Sequence, residues 1–174
     1  MTVSDESVRM AEAAQRRNSI DDLYTDNVLE SVRLAYLLTG DRNLAEDIVQ
    51  DAFVKLTGRY HHVRNPEAFP VYLRRTIVNL ARGHWRRLRV EREYLRRQVD
   101  RPEASRMPDV ETSSALRDAL MQLSPKQRAA IVLRYYYDQS EEQTAETLEC
   151  SVHAVKSLVH RGMVQLRHHV GAEK

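Results

Sequence analysis

Two helix-start signals in the second half of the chain constrain its fold more than any other feature. Residues 124–127, SPKQ, place a serine that can cap a helix before a proline at the first helical position and a glutamine at the third. Residues 140–143, SEEQ, repeat the capping-box pattern, and Ser151 can cap one more helix. Together these signals predict helices at about 113–122, 125–137, 140–148 and 151–169.

The last two predicted helices are joined only by Glu149 and Cys150, which favours a helix-turn-helix unit. In such a unit the second helix enters the major groove of DNA, and its first turns meet the base edges. Ser151 and the helix N-terminus can hold a phosphate. The outward-facing candidates for base and phosphate contact are His153, Ala154, Lys156, Ser157, His160 and Arg161.

Apolar residues at helical spacing predict three more helices in the first half of the chain, at about 21–39, 43–57 and 70–97. Gly40 is placed to end the first of them. In the second, one face is apolar, and the opposite face carries Asp47, Gln50 and Asp51. No stretch alternates as a strand does, so the sequence predicts an all-α fold.

Arginines are concentrated in one segment, although the whole chain has a net charge of only +2. Residues 71–101 hold ten arginines against three acids. Such a segment suits a polyanion whose attraction weakens with salt. The candidates on one helix face are Asn79, Arg82, Arg86 and Arg89, with Arg75 and Trp85 beside them. The preceding loop, 58–69, adds Tyr60, His61 and His62, whose rings suit the stacking of unpaired bases. The same loop holds Asn65, which with Pro66 favours a turn or a helix start.

The predicted organisation is two small helical domains joined by a flexible linker. Residues 1–19 are predicted to form a flexible arm, 20–97 the first domain, 98–112 the linker and 113–170 the second domain.

The chain lacks an apolar run of the ~20 residues that a membrane span needs. Cys150 is the single cysteine, which suits a reducing cytosol and a cytoplasmic protein. We expect no metal, no cofactor and no enzymatic activity, because ligand clusters, nucleotide loops and nucleophile–base arrangements are missing.

Two alternatives remain open on these residues alone. The first is a stand-alone helix-turn-helix regulator that uses only the second domain and reads a palindromic operator. The second is an adaptor whose acidic and basic helices bind only proteins, without salt-sensitive DNA association.

Three segments of the chain carry a distinctive combination of motifs. They read YLLTGDRNLAEDIVQDAFVKL, NPEAFPVYLRRTIVNLARGHWRRLR and LSPKQRAAIVLRYYYDQSEEQTAETLECSVHAVKSLVHRGMVQLR. Together they resemble bacterial RNA polymerase sigma factors of the sigma-70 family. The resemblance covers about residues 20–97 and 113–169. It is greatest to the extracytoplasmic-function group, especially its actinobacterial SigE-like members.

The resemblance implies partners and roles for the candidate residues. In that family the first domain binds the clamp helices of the polymerase β′ subunit and opens the −10 element, while the second binds the β flap and reads the −35 element. Asp47, Gln50 and Asp51 would contact β′. The −10 strand would lie on Tyr60, His61, Asn65, Asn79, Arg82, Trp85 and Arg86. An anti-sigma protein is a further partner that the resemblance allows.

The predicted −35 helix departs from the family pattern. The usual S-V-G-T-V-K-S-R run reads SVHAVKSL here, so His153, Ala154 and Leu158 replace Gly, Thr and Arg. Ser151 to Arg161 still match the recognition helix, and we expect an altered −35 preference.

Overall fold

A computed structural model describes residues 20–57, 68–95 and 114–171, and in these ranges every regular element is helical. The all-α fold class is confirmed. The predicted arm 1–19, most of the loop 58–69 and the linker 98–112 lie outside the described residues. The elements are α1 Ile20–Thr39, α2 Arg42–Thr57, α3 Phe69–Leu95, α4 Ser114–Gln122, α5 Pro125–Ile131, a π-helical turn Val132–Tyr136, α6 Glu141–Leu148 and α7 Val152–Gly171.

Helices α1, α2 and α3 form the first lobe around an apolar centre. The residues of α2 that lie every third or fourth position are buried, and Phe53 packs its ring against Tyr24 and Phe69 at centroid distances of 4.8 and 5.8 Å. Leu73 and Ile77 of α3 are completely buried against this centre. The acidic side of α2 is thereby turned to solvent.

Both predicted capping boxes are present in the second lobe, which α4 to α7 build. The Gln143 amide N–H donates to Ser140 Oγ at 3.1 Å, and the Ser140 N–H donates to Gln143 Oε1 at 2.8 Å. Ser124 and Gln127 make the same reciprocal pair at the start of α5. These bonds satisfy helix N–H groups that have no partner inside the helix, so they set where α5 and α6 begin.

We expect Ser140→Ala to lower the free energy of unfolding by about 1 kcal/mol, because one N-terminal N–H of α6 loses its acceptor. Urea denaturation of the full chain measures this effect as a lower midpoint at unchanged slope. Ser140→Asn is the matched control, since asparagine is an equally good cap and should keep the midpoint close to that of the parent chain. Equal midpoints for Ser140→Ala and the parent would contradict the role of this cap.

The helix predicted at 125–137 is instead an α-helix followed by a π-helical turn. Six consecutive residues, Arg128 to Leu133, are buried, which a regular helix with one apolar face does not allow. The π turn includes Val132 and Leu133, the last two residues of this run, and the Tyr137 N–H donates to the Val132 carbonyl at 3.2 Å. The wider turn carries the chain from this buried run to Tyr135 and Tyr136, both exposed.

The two lobes pack against each other over one continuous apolar core. Gly40, between α1 and α2, has a left-handed backbone with φ of +72°, as predicted for a helix-ending glycine. A Cβ at this position would lie 2.5 Å from Met121 Sδ of the second lobe. Glycine is therefore favoured here for its φ, and a Cβ would also force the flexible Met121 side chain to move.

Candidate nucleic-acid interface

The turn between α6 and α7 has the compact geometry of a helix-turn-helix. Glu149 takes a left-handed conformation with φ of +53°, and the Cys150 N–H donates to the Ala145 carbonyl at 3.0 Å. Ser151 then caps α7, because its Oγ accepts from the Ala154 N–H at 3.2 Å. Val155 is completely buried, so it anchors the first turn of α7 and turns the opposite side outward.

The sequence-predicted −35 residues lie along the first half of α7. Most of them are exposed, namely Ser151, His153, Lys156, His160 and Arg161, whereas Ala154 and Ser157 are half-buried. The Lys156 ammonium lies 3.2 Å from the Glu141 carboxylate at the start of α6. The Arg161 Nε donates back to the Ser157 carbonyl at 3.1 Å. The face is thus basic and accessible, with one of its cations held by an acid of the same lobe.

A second acidic residue of α6, Glu142, has a lowered pKa. A backbone hydrogen bond at Glu142 itself and a bond with the Ser140 side chain hold the pKa of the Glu142 carboxyl below its usual value. Glu142 therefore stays ionised at the positive end of α6, where a negative charge is favourable.

Some of the α3 residues predicted to bind the −10 strand are exposed to solvent, whereas others contact the second lobe. Arg86 is exposed, while Asn79, Arg82 and Trp85 are half-buried. Arg82 Nη1 donates to the Leu148 carbonyl at 2.8 Å, and Asn79 Nδ2 donates to Glu149 Oε1 at 3.3 Å. The side chain of Arg89 and residues Tyr60, His61 and Asn65 lie outside the described part of the chain.

Trp85 has a different environment from the one its sequence context indicated. Its ring lies 5.3 Å from the Arg128 guanidinium and 6.0 Å, edge to face, from the His84 ring. Its Nε1 is buried without a hydrogen-bond partner in the structure. Trp85 therefore has one unsatisfied hydrogen-bond donor, and burying such an N–H without an acceptor lowers the stability of the folded state.

The predicted acidic face of α2 is a continuous exposed surface. Asp47, Gln50 and Asp51 are all exposed, and they lie within one and a half turns on the side opposite Ile48 and Ala52. Val54 continues the same face and is 71% exposed. The sequence analysis missed Val54, although its spacing of three from Asp51 was sufficient to find it.

Two other residues missed at the sequence level are Arg128 and Tyr137, which join the lobes. Arg128 stood out in the sequence only as a charge before the apolar run AAIVL. Tyr137 had no signal beyond its place in a run of three tyrosines. Their partners lie about 90 to 107 residues away in the chain, at Leu38 and Glu30. No local pattern reveals such contacts.

The described residues contain no cluster of three or more histidine, cysteine, aspartate or glutamate side chains that suits a metal ion. Among the helices in these ranges, none combines the length and the apolar character that a membrane crossing needs.

Comparison with known families matches both lobes. The model of sigma-70 region 2 matches residues 23–91, and the model of sigma-70 region 4 matches residues 113–166. The RNA polymerase sigma-E factor of Streptomyces coelicolor is 32% identical over 136 residues, covering 78% of this chain and 77% of that protein. The sigma-E factor of Streptomyces avermitilis is 35% identical over 139 residues, covering 78% and 76%.

A more distant relative and a solved structure agree with this assignment. The ECF RNA polymerase sigma factor SigE of Mycolicibacterium smegmatis is 32% identical over 158 residues, covering 86% of this chain and 60% of that protein. The sigma factor RpoE of Bartonella quintana, solved with the anti-sigma factor NepR, has the same fold. Its TM-score is 0.68 at 20% identity, covering 87% of this chain and 96% of that one. The chain therefore belongs to the sigma-70 family of RNA polymerase sigma factors, in its extracytoplasmic-function group.

Proposed function

We propose that this sigma factor uses three separate surfaces, one to bind core RNA polymerase and two to bind promoter DNA. The exposed face of α2 with Asp47, Gln50 and Asp51 docks on the β′ clamp helices of core RNA polymerase. The first half of α7 reads the −35 element, and the loop before α3 together with α3 holds the −10 strand. The observation that carries this proposal is the helix-turn-helix, whose second helix is capped by Ser151 and exposes Lys156, His160 and Arg161.

The charge layout supports a mechanism that depends on the polymerase. Acidic and basic surfaces nearly cancel in the free chain, whose net charge is +2, so its attraction to duplex DNA is weak. Bound to core enzyme, the two DNA-reading surfaces are held at a defined spacing. Binding of one surface to DNA then raises the effective concentration of the other, so the overall affinity for promoter DNA increases without any new contact. Capture of a flipped base by the loop offsets part of the cost of opening, a few kcal/mol per base.

The two alternatives are less well supported than the sigma role. A stand-alone regulator accounts only for the helix-turn-helix, and an adaptor accounts only for the acidic and basic helices as protein-binding surfaces. Both sigma regions match, and the acidic face of α2 occurs with a DNA-reading helix in the same chain. A chain that acts by binding core polymerase needs no enzymatic activity of its own. Its proposed location is the cytoplasm, where core polymerase is found.

Run-off transcription tests the proposal. Purified core polymerase is combined with the full chain on a genomic promoter library, and start sites are mapped with and without the chain. New start sites with a shared pair of upstream elements are expected. If the chain never redirects initiation, the proposal fails.

We expect Lys156→Ala to weaken binding to a duplex carrying the promoter so defined, by about 1–2 kcal/mol or roughly five- to thirty-fold. The substitution removes one cation and leaves Glu141 facing DNA without its partner. Binding is measured at fixed salt and again along a salt series, where the slope should fall by about one ion.

Lys55→Ala is the matched control for that variant. It makes the same charge change at an exposed position of α2, in the other lobe. Equal affinities for the Lys156→Ala and Lys55→Ala chains would contradict the placement of the −35 surface.

A further inference from the structure

The first half of α7 carries two exposed imidazole rings on the face that is proposed to read the −35 element. His153 and His160 lie two turns apart, and Lys156 lies between them at spacings of three and four residues. All three side chains are exposed. Seven residues span about 10 Å along a helix, so these groups form one straight row. We call His153, Lys156 and His160 the imidazole row.

The packing of α7 against its own lobe turns this row outward. Val155 and Gly162 are buried, and they lie on the side of α7 opposite His153. At Gly162 the helix approaches α5 so closely that a Cβ would lie 2.6 Å from Ile131 Cδ1. The contact with α4 is uncharged, because Gln165 Nε2 donates to the Gln122 carbonyl at 2.8 Å. The imidazole row therefore faces solvent.

The acids near the imidazole row come from α6. The Glu141 carboxylate lies 3.2 Å from the Lys156 ammonium, so it is paired with the central member of the row. Glu142 follows it and is exposed, with the positive charges of Lys156 and of Arg134 in the π turn close by. The turn before α7 adds two titratable residues, exposed Glu149 and half-buried Cys150. The row thus keeps its two histidines accessible while its lysine is already held by an acid.

Imidazole is the side chain whose charge ordinarily changes between pH 5 and 8. The protonated ring carries a positive charge and donates from both nitrogens. Hydrogen bonds from such a ring to phosphate oxygens are charge-assisted and strong. A nearby anion also favours the protonated form of the ring. A DNA backbone placed along the imidazole row therefore favours proton uptake.

We propose that promoter binding by this chain takes up protons, with His153 and His160 contacting phosphates of the −35 element as imidazolium ions on either side of Lys156. Because the bound state favours the protonated rings, the affinity for the promoter rises as the pH falls from about 8 to 6. The inference rests on the proposed role of α7, and it adds that the −35 contact is regulated by pH.

The test measures the affinity of the complex of core polymerase and the full chain for its promoter along a pH series. The probe is a radiolabelled duplex that carries the promoter mapped by run-off transcription, and filter binding gives the dissociation constant at fixed ionic strength. A group that binds only when protonated, and that is half-protonated near pH 6.5 before binding, gains about fourfold between pH 8 and pH 6. For two such groups we expect the parent to bind about five- to fifteenfold more tightly at pH 6.

Two double variants fix the charge of the row at its two limits. His153→Gln/His160→Gln stays neutral, so it should match the parent at pH 8 and lack the gain at pH 6. His153→Arg/His160→Arg is charged throughout, so it should match the parent at pH 6 and keep that affinity at pH 8. Both positions are exposed on α7, and glutamine and arginine are good helix formers, so the fold should be retained. Effects of pH on the polymerase itself act on every chain alike and cancel in the comparison.

His168→Gln is the matched control. His168 is exposed on the same helix, more than two turns beyond His160. Its loss should leave the ratio of affinities at pH 6 and pH 8 within about twofold of the parent. A parent that binds equally at both pH values, or a neutral double variant that keeps the pH dependence of the parent, would overturn the inference. Equal losses of pH dependence in His168→Gln and the neutral double variant would also overturn it.

Run-off transcription by the parent chain separates this inference from the proposed function. If the parent redirects initiation while its promoter affinity is the same at pH 6 and pH 8, proton uptake is refuted and the sigma role stands. If the parent never redirects initiation, the proposed function fails and this inference fails with it.

Discussion

Asp47→Arg is expected to abolish association with core RNA polymerase while leaving the fold intact. Asp47 is exposed on the outer face of α2, between Glu46 and the buried Ile48. Reversing the charge on the proposed docking surface replaces attraction by repulsion against the basic partner surface that an acidic face is expected to contact. The cost at a desolvated interface is about 3 kcal/mol or more, which is over a hundredfold in affinity. Arginine is also a better helix former than aspartate, so α2 should not lose stability.

The measurement is co-purification of the chain with core enzyme, supported by a titration of core polymerase with labelled chain. Asp26→Arg is the matched control, because it makes the same charge change at an exposed site of α1. Its affinity should stay within about threefold of the parent, as for an exposed charge outside the interface. Undiminished co-purification of Asp47→Arg would refute the placement of the polymerase surface on α2.

Arg128→Met is expected to lower the free energy of unfolding by about 3–5 kcal/mol. Arg128 is only 3% exposed. Its guanidinium donates to the carbonyls of Leu120, Met121 and Leu123 at 2.9, 3.3 and 3.1 Å, and to Leu38 of the other lobe at 2.5 Å. Methionine fills a similar volume but removes the Arg128 donor from all four carbonyls, of which Leu120 keeps the Leu123 N–H at 3.1 Å.

The carbonyl ends of α1 and α4 explain why this cation is stable without a carboxylate. Helix C-termini carry partial negative charge, and two of them converge on one guanidinium. Burial lowers the pKa of Arg128 to about 10, so the group remains protonated at neutral pH. Because the folded pKa of Arg128 lies below its unfolded value, the number of protons taken up on unfolding begins to change only as the pH rises above about 9. The Arg128→Met deficit should therefore be constant from pH 6 to 9.

Thermal and urea denaturation of the full chain measure the deficit. Arg161→Met is the matched control, since Arg161 is exposed on α7 of the same lobe, and its loss should cost less than about 0.5 kcal/mol. A loss of 5 kcal/mol would equal much of the total stability of an ordinary domain. Equal midpoints for the two variants would show that Arg128 does not hold the helix ends together.

Local signals were sufficient for the helix starts and for the outward faces of α2 and α7, but not for the π turn at Val132–Tyr136. The capping boxes at Ser124 and Ser140 predicted where α5 and α6 begin, because the bonds that start a helix involve residues three apart. The exposure of Asp47 and Lys156 followed from the 3.6-residue period. The domain boundaries and the individual site residues stay predictions, and Tyr60, His61 and Asn65 lie outside the described residues.

The amino-acid sequence alone thus determined the helical class, the helix-turn-helix, the acidic and basic surfaces and the family. Each of these depends on residues close together in the chain. Only the tertiary structure decided that Arg128 is a buried link between helix ends and that Glu149 lies on Arg75 and Asn79. Those contacts join residues about 70 to 90 positions apart. They form because packing around the shared apolar core brings distant segments together, and no local periodicity records which distant partner a side chain will meet.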